Sequence, residues 1–270
     1  MSCVTRVRSV GKATMKLISL NTWGGRGGKE QLLAFFEKHK DVDVFCLQEI
    51  WSAPYEDLEN QMVGGVTLDH ENIMVYGMQE ISKLLDDHLS YFRPHHLENY
   101  GLMMLIKKGL SVIEEGDIFV YKERGFVPGE GVDSGFHARN VQYITCETLA
   151  GKRTIMNFHG LWNGKGKTDS EDRLTQSDNI IRFMETILNP YVICGDFNLL
   201  PDTKSVQKFE EFGLHNLIKE YGVTSTRTSH YTKAEKFADY ALVSKDIVVK
   251  DFKVLPDEVS DHAPLYLEFE

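Results

Sequence analysis

Cysteine and proline are both scarce, with 4 and 7 respectively in 270 residues. The cysteines Cys3, Cys46, Cys146 and Cys194 show no CxxC spacing and no accompanying histidine pattern, which excludes a Cys/His zinc cage. Three of them lie in the apolar runs VFCLQ, YITCE and VICGD, where a thiol packs as a small hydrophobe. This usage points to a reducing compartment and a cytoplasmic protein. There is no Pro/Ser linker, internal repeat or low-complexity block, so one domain is expected. No run approaches the roughly 18 apolar residues of a membrane span, which predicts no integral membrane segment. Residues 1–14 (MSCVTRVRSVGKAT) carry basic and hydroxyl groups but no acid and no continuous apolar core. They read as a leader outside the fold, with a single domain over 15–270. Positive charge is also short: the formal net charge is -10, which excludes a protein held on nucleic acid by its overall field. A local basic groove stays open, because phosphate contacts act within about a Debye length.

Short apolar runs are plentiful. Those at Lys16–Leu20, Val42–Leu47, Leu102–Ile106, Thr154–Phe158, Tyr191–Cys194, Tyr240–Val243 and Ala263–Phe269 predict buried strands. Val112–Tyr121 and Val141–Leu149 predict antiparallel strands, the latter turning at AGK into Thr154–Phe158. Helical spacing occurs over Glu30–His39, Gln79–Leu89 and Glu171–Leu188. The last has a capping box at Thr168 and Glu171 and a stripe of Leu174, Ile181, Met184 and Leu188. Strands mixed with helices and hairpins predict an α/β fold, a four-layer α/β/β/α sandwich of two packed mixed sheets with helices outside.

Polar groups sit at one end of several strands. Asn21 follows KLISL, Glu49 follows VFCLQ, His159 follows TIMNF, Asp196 and Asn198 follow YVICG, and Asp261-His262 precede APLYLEF. Strand ends of a mixed sheet can converge on one crevice. The carboxylate of Glu49 and the amide oxygen of Asn21 suit Mg²⁺, with Mn²⁺ as a substitute. Asp196, in the turn Gly195-Asp196-Phe197-Asn198, is placed to orient or deprotonate a water, with Asn198 as a donor beside it. His159 and His262 can donate to phosphoryl oxygens where anionic charge develops, and Asp239 in FADYALVS is the candidate to orient one imidazole. The implied substrate is a phosphorylated small molecule or a nucleic acid, acted on by a monomer.

The motifs ISLNTWG, Gln48-Glu49, Asn157-Phe158-His159, Gly195-Asp196-Phe197-Asn198, Ala238-Asp239-Tyr240 and Ser260-Asp261-His262 occur in order from Lys16 to Glu270. In this the chain resembles the endonuclease/exonuclease/phosphatase superfamily of metal-dependent phosphohydrolases. The resemblance implies Glu49 as the main Mg²⁺ ligand with Asn21 in support, and Asp261 binding metal directly or through water. It implies water activation by Asp196, phosphate contacts from Asn198 and His159, and transition-state stabilisation by His262 oriented by Asp239. Trp23 stands where exonuclease III-like members place a second acid, which favours one metal; Met156 replaces their tyrosine. No WCDR-type segment precedes Ala238-Asp239-Tyr240, unlike inositol-polyphosphate 5-phosphatases.

Weaker signals surround this set. The loop HGLWNGKGKT offers Trp162, Lys165 and Lys167 as a phosphate-contacting lip, or is simply an exposed Gly/Lys loop. Arg173 and Gln176 share a helix flank read as exposed, able to reach the groove or merely solvated. Thr226-Arg227 holds a phosphate or pins a loop, and His95-His96 with Glu98 read as a surface loop. A phosphodiesterase or phosphatase leads, a nuclease follows if Lys165, Lys167, Arg173 and Arg227 form one basic groove, and an inactive binding module on the same scaffold is the rival of another class.

Overall fold

The computed structural model describes residues 13–270, so Cys3 and all of the expected leader except Ala13 and Thr14 lie outside the described residues. Two six-stranded mixed sheets stack face to face. The first runs β13 (Val249–Val254), β14 (Leu265–Phe269), β1 (Met15–Asn21), β2 (Val44–Trp51), β6 (Tyr100–Lys107), β5 (His88–His96). The second runs β11 (His215–Asn216), β12 (Asp239–Val243), β10 (Tyr191–Asp196), β9 (Gly151–His159), β8 (Arg139–Thr148), β7 (Ser111–Tyr121). A two-stranded hairpin, β3 (Met62–Val63) and β4 (Val66–Thr67), stands apart.

Period-two alternation builds the layers. In β1 and β2, Leu17, Val44 and Cys46 point between the sheets, while Ile18, Leu20, Phe45 and Leu47 point outward. Both sets are apolar because helices cover the outer face. Leu32, Phe35 and Phe36 of α1 (Lys29–Lys38) and Ile81 of α2 (Gly77–Leu84) close over the first sheet. On the second sheet, Ile180 and Met184 of α3 (Glu171–Met184) and Val206 and Phe209 of α4 (Lys204–Glu211) do the same, with a short α5 (Leu217–Glu220) beside them. The arrangement is the α/β/β/α sandwich that the sequence predicts. No helix among the described residues is long and apolar enough to cross a membrane.

Each sheet has one parallel pair near its centre, β1 with β2 and β9 with β10, flanked by antiparallel neighbours. Asn21, His159 and Asp196 stand at the C-terminal ends of these strands, and Glu49 near the end of β2. The sheets are bolted together just below: Gln48 Nε2 donates to Asn157 Oδ1 at 2.7 Å, and Asn157 Nδ2 donates to the Leu47 carbonyl at 2.9 Å, all buried. Directional bonds between buried amides fix one register of the two sheets.

Several boundaries move. The cap of α3 is Ser170, whose hydroxyl accepts from Arg173 N, rather than Thr168. The helix stops at Met184, leaving Leu188 95% exposed and outside the buried stripe. β5 begins at His88, inside the span read as helical, and carries His95 and His96 as buried strand residues rather than a surface loop.

Candidate active site

The strand ends open into one cleft of about 350 Å³. Backbone geometry aims its polar groups. Glu49 lies where the β2–β6 register shifts between Leu47 and Ile50, with φ at 58°, so the bulge turns its side chain out of the sheet alternation. Asn198 has φ at 54° and Trp23 at 53°, and both line the cleft with Glu49. Such left-handed non-glycine residues cluster where function holds the backbone under strain. Gly195 permits the turn: a Cβ there would lie 1.9 Å from the Phe158 carbonyl oxygen.

Asp196 is the hub. Its Oδ2 accepts from Asn21 Nδ2 at 3.0 Å and faces His262 Nε2 at 3.5 Å and His159 Nε2 at 3.8 Å. Burial alone would raise its pKa, but the charges of His262 and Lys167 outweigh it and hold the carboxyl well below its ordinary range. Its Oδ1 accepts from the Asn198 amide at 2.8 Å. Asn198 Oδ1 in turn accepts from Lys167 Nζ at 2.7 Å, and burial lowers that lysine to about 8.

His262 Nδ1 sits 2.8 and 2.9 Å from the Asp239 carboxylate oxygens, which fixes the ring and turns Nε2 into the cleft. Burial and Arg227 push its pKa down, yet Asp239, Asp261 and Asp196 together leave it raised. His159 behaves oppositely. Burial, aided by the Arg139 charge, lowers it to about 3, which favours a neutral imidazole with a single N–H to donate.

The acids test the fit of a metal. Asp196, Asp239 and His262 offer ligand atoms within 4.8 Å of one another, but a cation there would compete with the His262–Asp239 hydrogen bond. Hard oxygens are also available at Glu49, whose Oε1 accepts only from Asn21 Nδ2 at 3.0 Å, and at Asp261. Asp261 Oδ2 pairs with Arg227 at 3.1 Å, while its Oδ1, 3.7 Å from His262 Nε2, is buried with no hydrogen bond among the described residues. An orphaned buried carboxylate oxygen beside other acids suits a divalent cation. Asn21 bridges Glu49 and Asp196 through Nδ2, and its Oδ1 accepts from Trp23 N at 2.9 Å.

The cleft thus gathers Glu49, His159, Asp196, Asn198, Asp261, His262, Trp162, Lys167 and Arg227, with Asn21 and Asp239 bonded directly behind. Two expected substrate contacts do not join it. Lys165 is exposed and outside the lining. Arg173 is 1% exposed, its guanidinium donating to the Leu161 and Thr168 carbonyls, while Gln176 Oε1 accepts from Leu161 N. This pair is not on a solvated flank but pins the loop carrying Trp162 and Lys167. Thr226 similarly pins the chain, its hydroxyl accepting from Ala238 N and Asp239 N, and Glu98 is exposed. Lining residues that the sequence reading passed over include Arg26, Trp51, Tyr100, His137, Arg139 and Tyr231. Arg26 stands among Gly24, Gly25, Gly27 and Gly28, a composition that lets backbone pass close to the site.

Comparison with known proteins agrees with this fold. Residues 18–262 match the sequence model of the Endonuclease/Exonuclease/phosphatase family. No curated protein matches the chain. Among solved structures, an endonuclease/exonuclease/phosphatase family protein from Bacteroides thetaiotaomicron superposes with a TM-score of 0.70 at 16% identity, covering 95% of each chain. The mannosyl-6-phosphatase Bt3783 of Bacteroides thetaiotaomicron gives 0.69 at 16%, covering 95% of this chain and 99% of that one. The human Nocturnin catalytic domain gives 0.63 at 17%, covering 96% and 95%. At these identities the likeness concerns the fold, but the family match spans nearly the whole sequence and includes every strand end that faces the cleft: the chain belongs to the Endonuclease/Exonuclease/phosphatase family.

Proposed function

We propose that the chain is a Mg²⁺-dependent hydrolase of small phosphate esters. The observation that carries this reading is Asp196, a buried carboxylate held anionic between two imidazoles, one of them clamped by Asp239. An ionised carboxylate in that position can accept a proton from water as it attacks phosphorus. His262, raised in pKa with Nε2 facing the cleft, donates to a phosphoryl oxygen as charge builds there. Neutral His159 and the Asn198–Lys167 pair hold the phosphate in line. Glu49 and Asp261 would hold the metal, which would supply charge neutralisation on the phosphoryl and leaving oxygens.

One observation favours a small substrate over a polynucleotide. The β3–β4 hairpin closes one end of the cleft: Gly64 N and Gly65 N donate to the Asp133 carboxylate at 2.7 and 2.9 Å, and a Cβ on Gly65 would meet Trp162 at 3.0 Å. The intact Asp196, His262 and Asp239 set speaks against an inactive binding module. Assay of phosphate esters and oligonucleotides with Mg²⁺, Mn²⁺ or EDTA tests the reading. EDTA-sensitive hydrolysis of small esters is expected; hydrolysis of oligonucleotides alone, or none of any substrate, would overturn it.

A further inference from the structure

Beyond Glu49 the cleft wall continues through five residues with no part in the scheme above: Arg26, Trp51, Tyr100, His137 and Arg139. They form an unbroken run. Arg26 Nη1 and Trp51 Nε1 each lie 3.3 Å from where a Cβ on Gly24 would stand. The Trp51 and Tyr100 ring centres are 4.8 Å apart, and those of Tyr100 and His137 5.7 Å. Arg139 Nη1 then lies 2.8 Å from His137 Nε2. Two cations therefore flank an aromatic floor, at the end that the β3–β4 hairpin closes.

The charges here lack counterparts. Arg26 Nη1 donates to the Trp23 carbonyl, and Arg139 donates to the Gly160, Gly135 and Ala138 carbonyls and to His137. Among the described residues, neither has a carboxylate within ion-pair distance. Arg139 is 1% exposed, and although burial lowers it to about 10 it remains a cation at neutral pH. Among the described residues the Trp51 indole N–H is buried with no acceptor. A buried N–H without an acceptor, and a buried cation bonded to neutral groups alone, are costly unless a ligand supplies negative oxygens. His137 adds no second positive charge, since burial and Arg139 push its pKa well down. Glu49 and Asp196 act on Arg139 through space, short of ion-pair distance, and Glu49 is itself a candidate metal ligand.

We propose that this closed end is a second anion subsite, where Arg26, Trp51 and Arg139 receive a second phosphate group on the same small substrate whose scissile phosphate lies at Asp196 and His262. The aromatic floor then carries the scaffold joining the two phosphates. The subsite rests on the hydrolase reading for its substrate, but its binding can be measured apart from turnover.

The experiment uses matched pairs with Mg²⁺: fructose 6-phosphate and fructose 1,6-bisphosphate, glucose 1-phosphate and glucose 1,6-bisphosphate, 3-phosphoglycerate and 2,3-bisphosphoglycerate. Binding is followed by calorimetry and phosphate release in parallel. At least one bisphosphate should bind about ten-fold more tightly than its partner, the worth of a charge-assisted contact. Arg26→Ala should remove most of that ratio through Kd and KM, and Arg26→Lys should retain part. Trp51→Phe, which deletes the N–H, should reduce the ratio by a smaller factor. Equal binding within every pair, a preference that Arg26→Ala leaves intact, or tighter binding of short oligonucleotides than of any bisphosphate would overturn the subsite. Preference in binding without any phosphate release upholds the subsite and overturns the hydrolase reading; release without preference does the reverse.

Discussion

The two ends of the cleft handle positive charge in opposite ways. Around Asp196, cations meet carboxylates: Arg227 pairs with Asp261 and His262 is clamped by Asp239, while Lys167, bonded to the neutral Asn198 amide, feels the Asp196 charge through space. Toward the hairpin, Arg26 and Arg139 meet carbonyls and an aromatic floor instead. Arg173 sharpens the contrast. It too is buried and bonded to carbonyls, but it lies outside the cleft lining, so its role ends with the loop it pins. Matched charges hold a reacting geometry; unmatched charges facing a cavity await a ligand.

The matched end should be the fragile one for turnover. Asp196→Ala and His262→Ala are each expected to lower kcat by about 10³-fold or more while the urea midpoint stays near wild type. Wild-type rates in either variant would remove the distinction between the ends. Asp239→Asn should cost less, roughly 10²-fold, the lower end of acid–base effects, because the ring loses its orienting anion but keeps a neighbour able to hydrogen-bond. A steady-state assay on the preferred ester decides the ranking.

Arg173→Met should act on stability rather than chemistry. It strands the buried Leu161 carbonyl, at a cost of about 2–3 kcal/mol read from urea unfolding. An effect on KM alone, at unchanged stability, would place Arg173 back among the substrate contacts. A smaller effect comes from pH. Lys167, lowered by burial to about 8, is charged below that value and neutral above it, so KM for an anionic substrate should rise as pH passes 8. Lys167→Arg, charged throughout, should flatten that limb. Smallest of all, Lys165→Ala should change both rate and stability within error, since it is exposed and outside the cleft.

The sequence disclosed the catalytic end far better than the other, for a physical reason. Asn21, Glu49, His159 and Asp196 each follow a run of apolar residues, and a polar group at such a boundary stands out. Their convergence follows from the parallel pairs β1–β2 and β9–β10. Arg139 begins the strand RNVQYITCE, where an arginine reads as an outward-facing edge, and only packing across the sheet buries it. Arg173 failed the same way, because the carbonyls that claim it belong to a loop several residues upstream. β5 was missed because Ser90, Arg93, Pro94 and two histidines interrupt its apolar pattern, as an edge strand permits. The amphipathic spacing of Val206 and Phe209 in α4 was legible and passed over.

The joining of β14 to β1 ties the cleft to the folding of distant segments. Leu265–Phe269 lies directly between β1 and β13, and Ser260 Oγ donates to the Asn21 carbonyl across 239 positions of chain. Asp261 and His262 arrive with that strand. Closing the first sheet and completing the cleft are therefore one event, a long-range contact that carries a large loop-closure cost and forms late in folding.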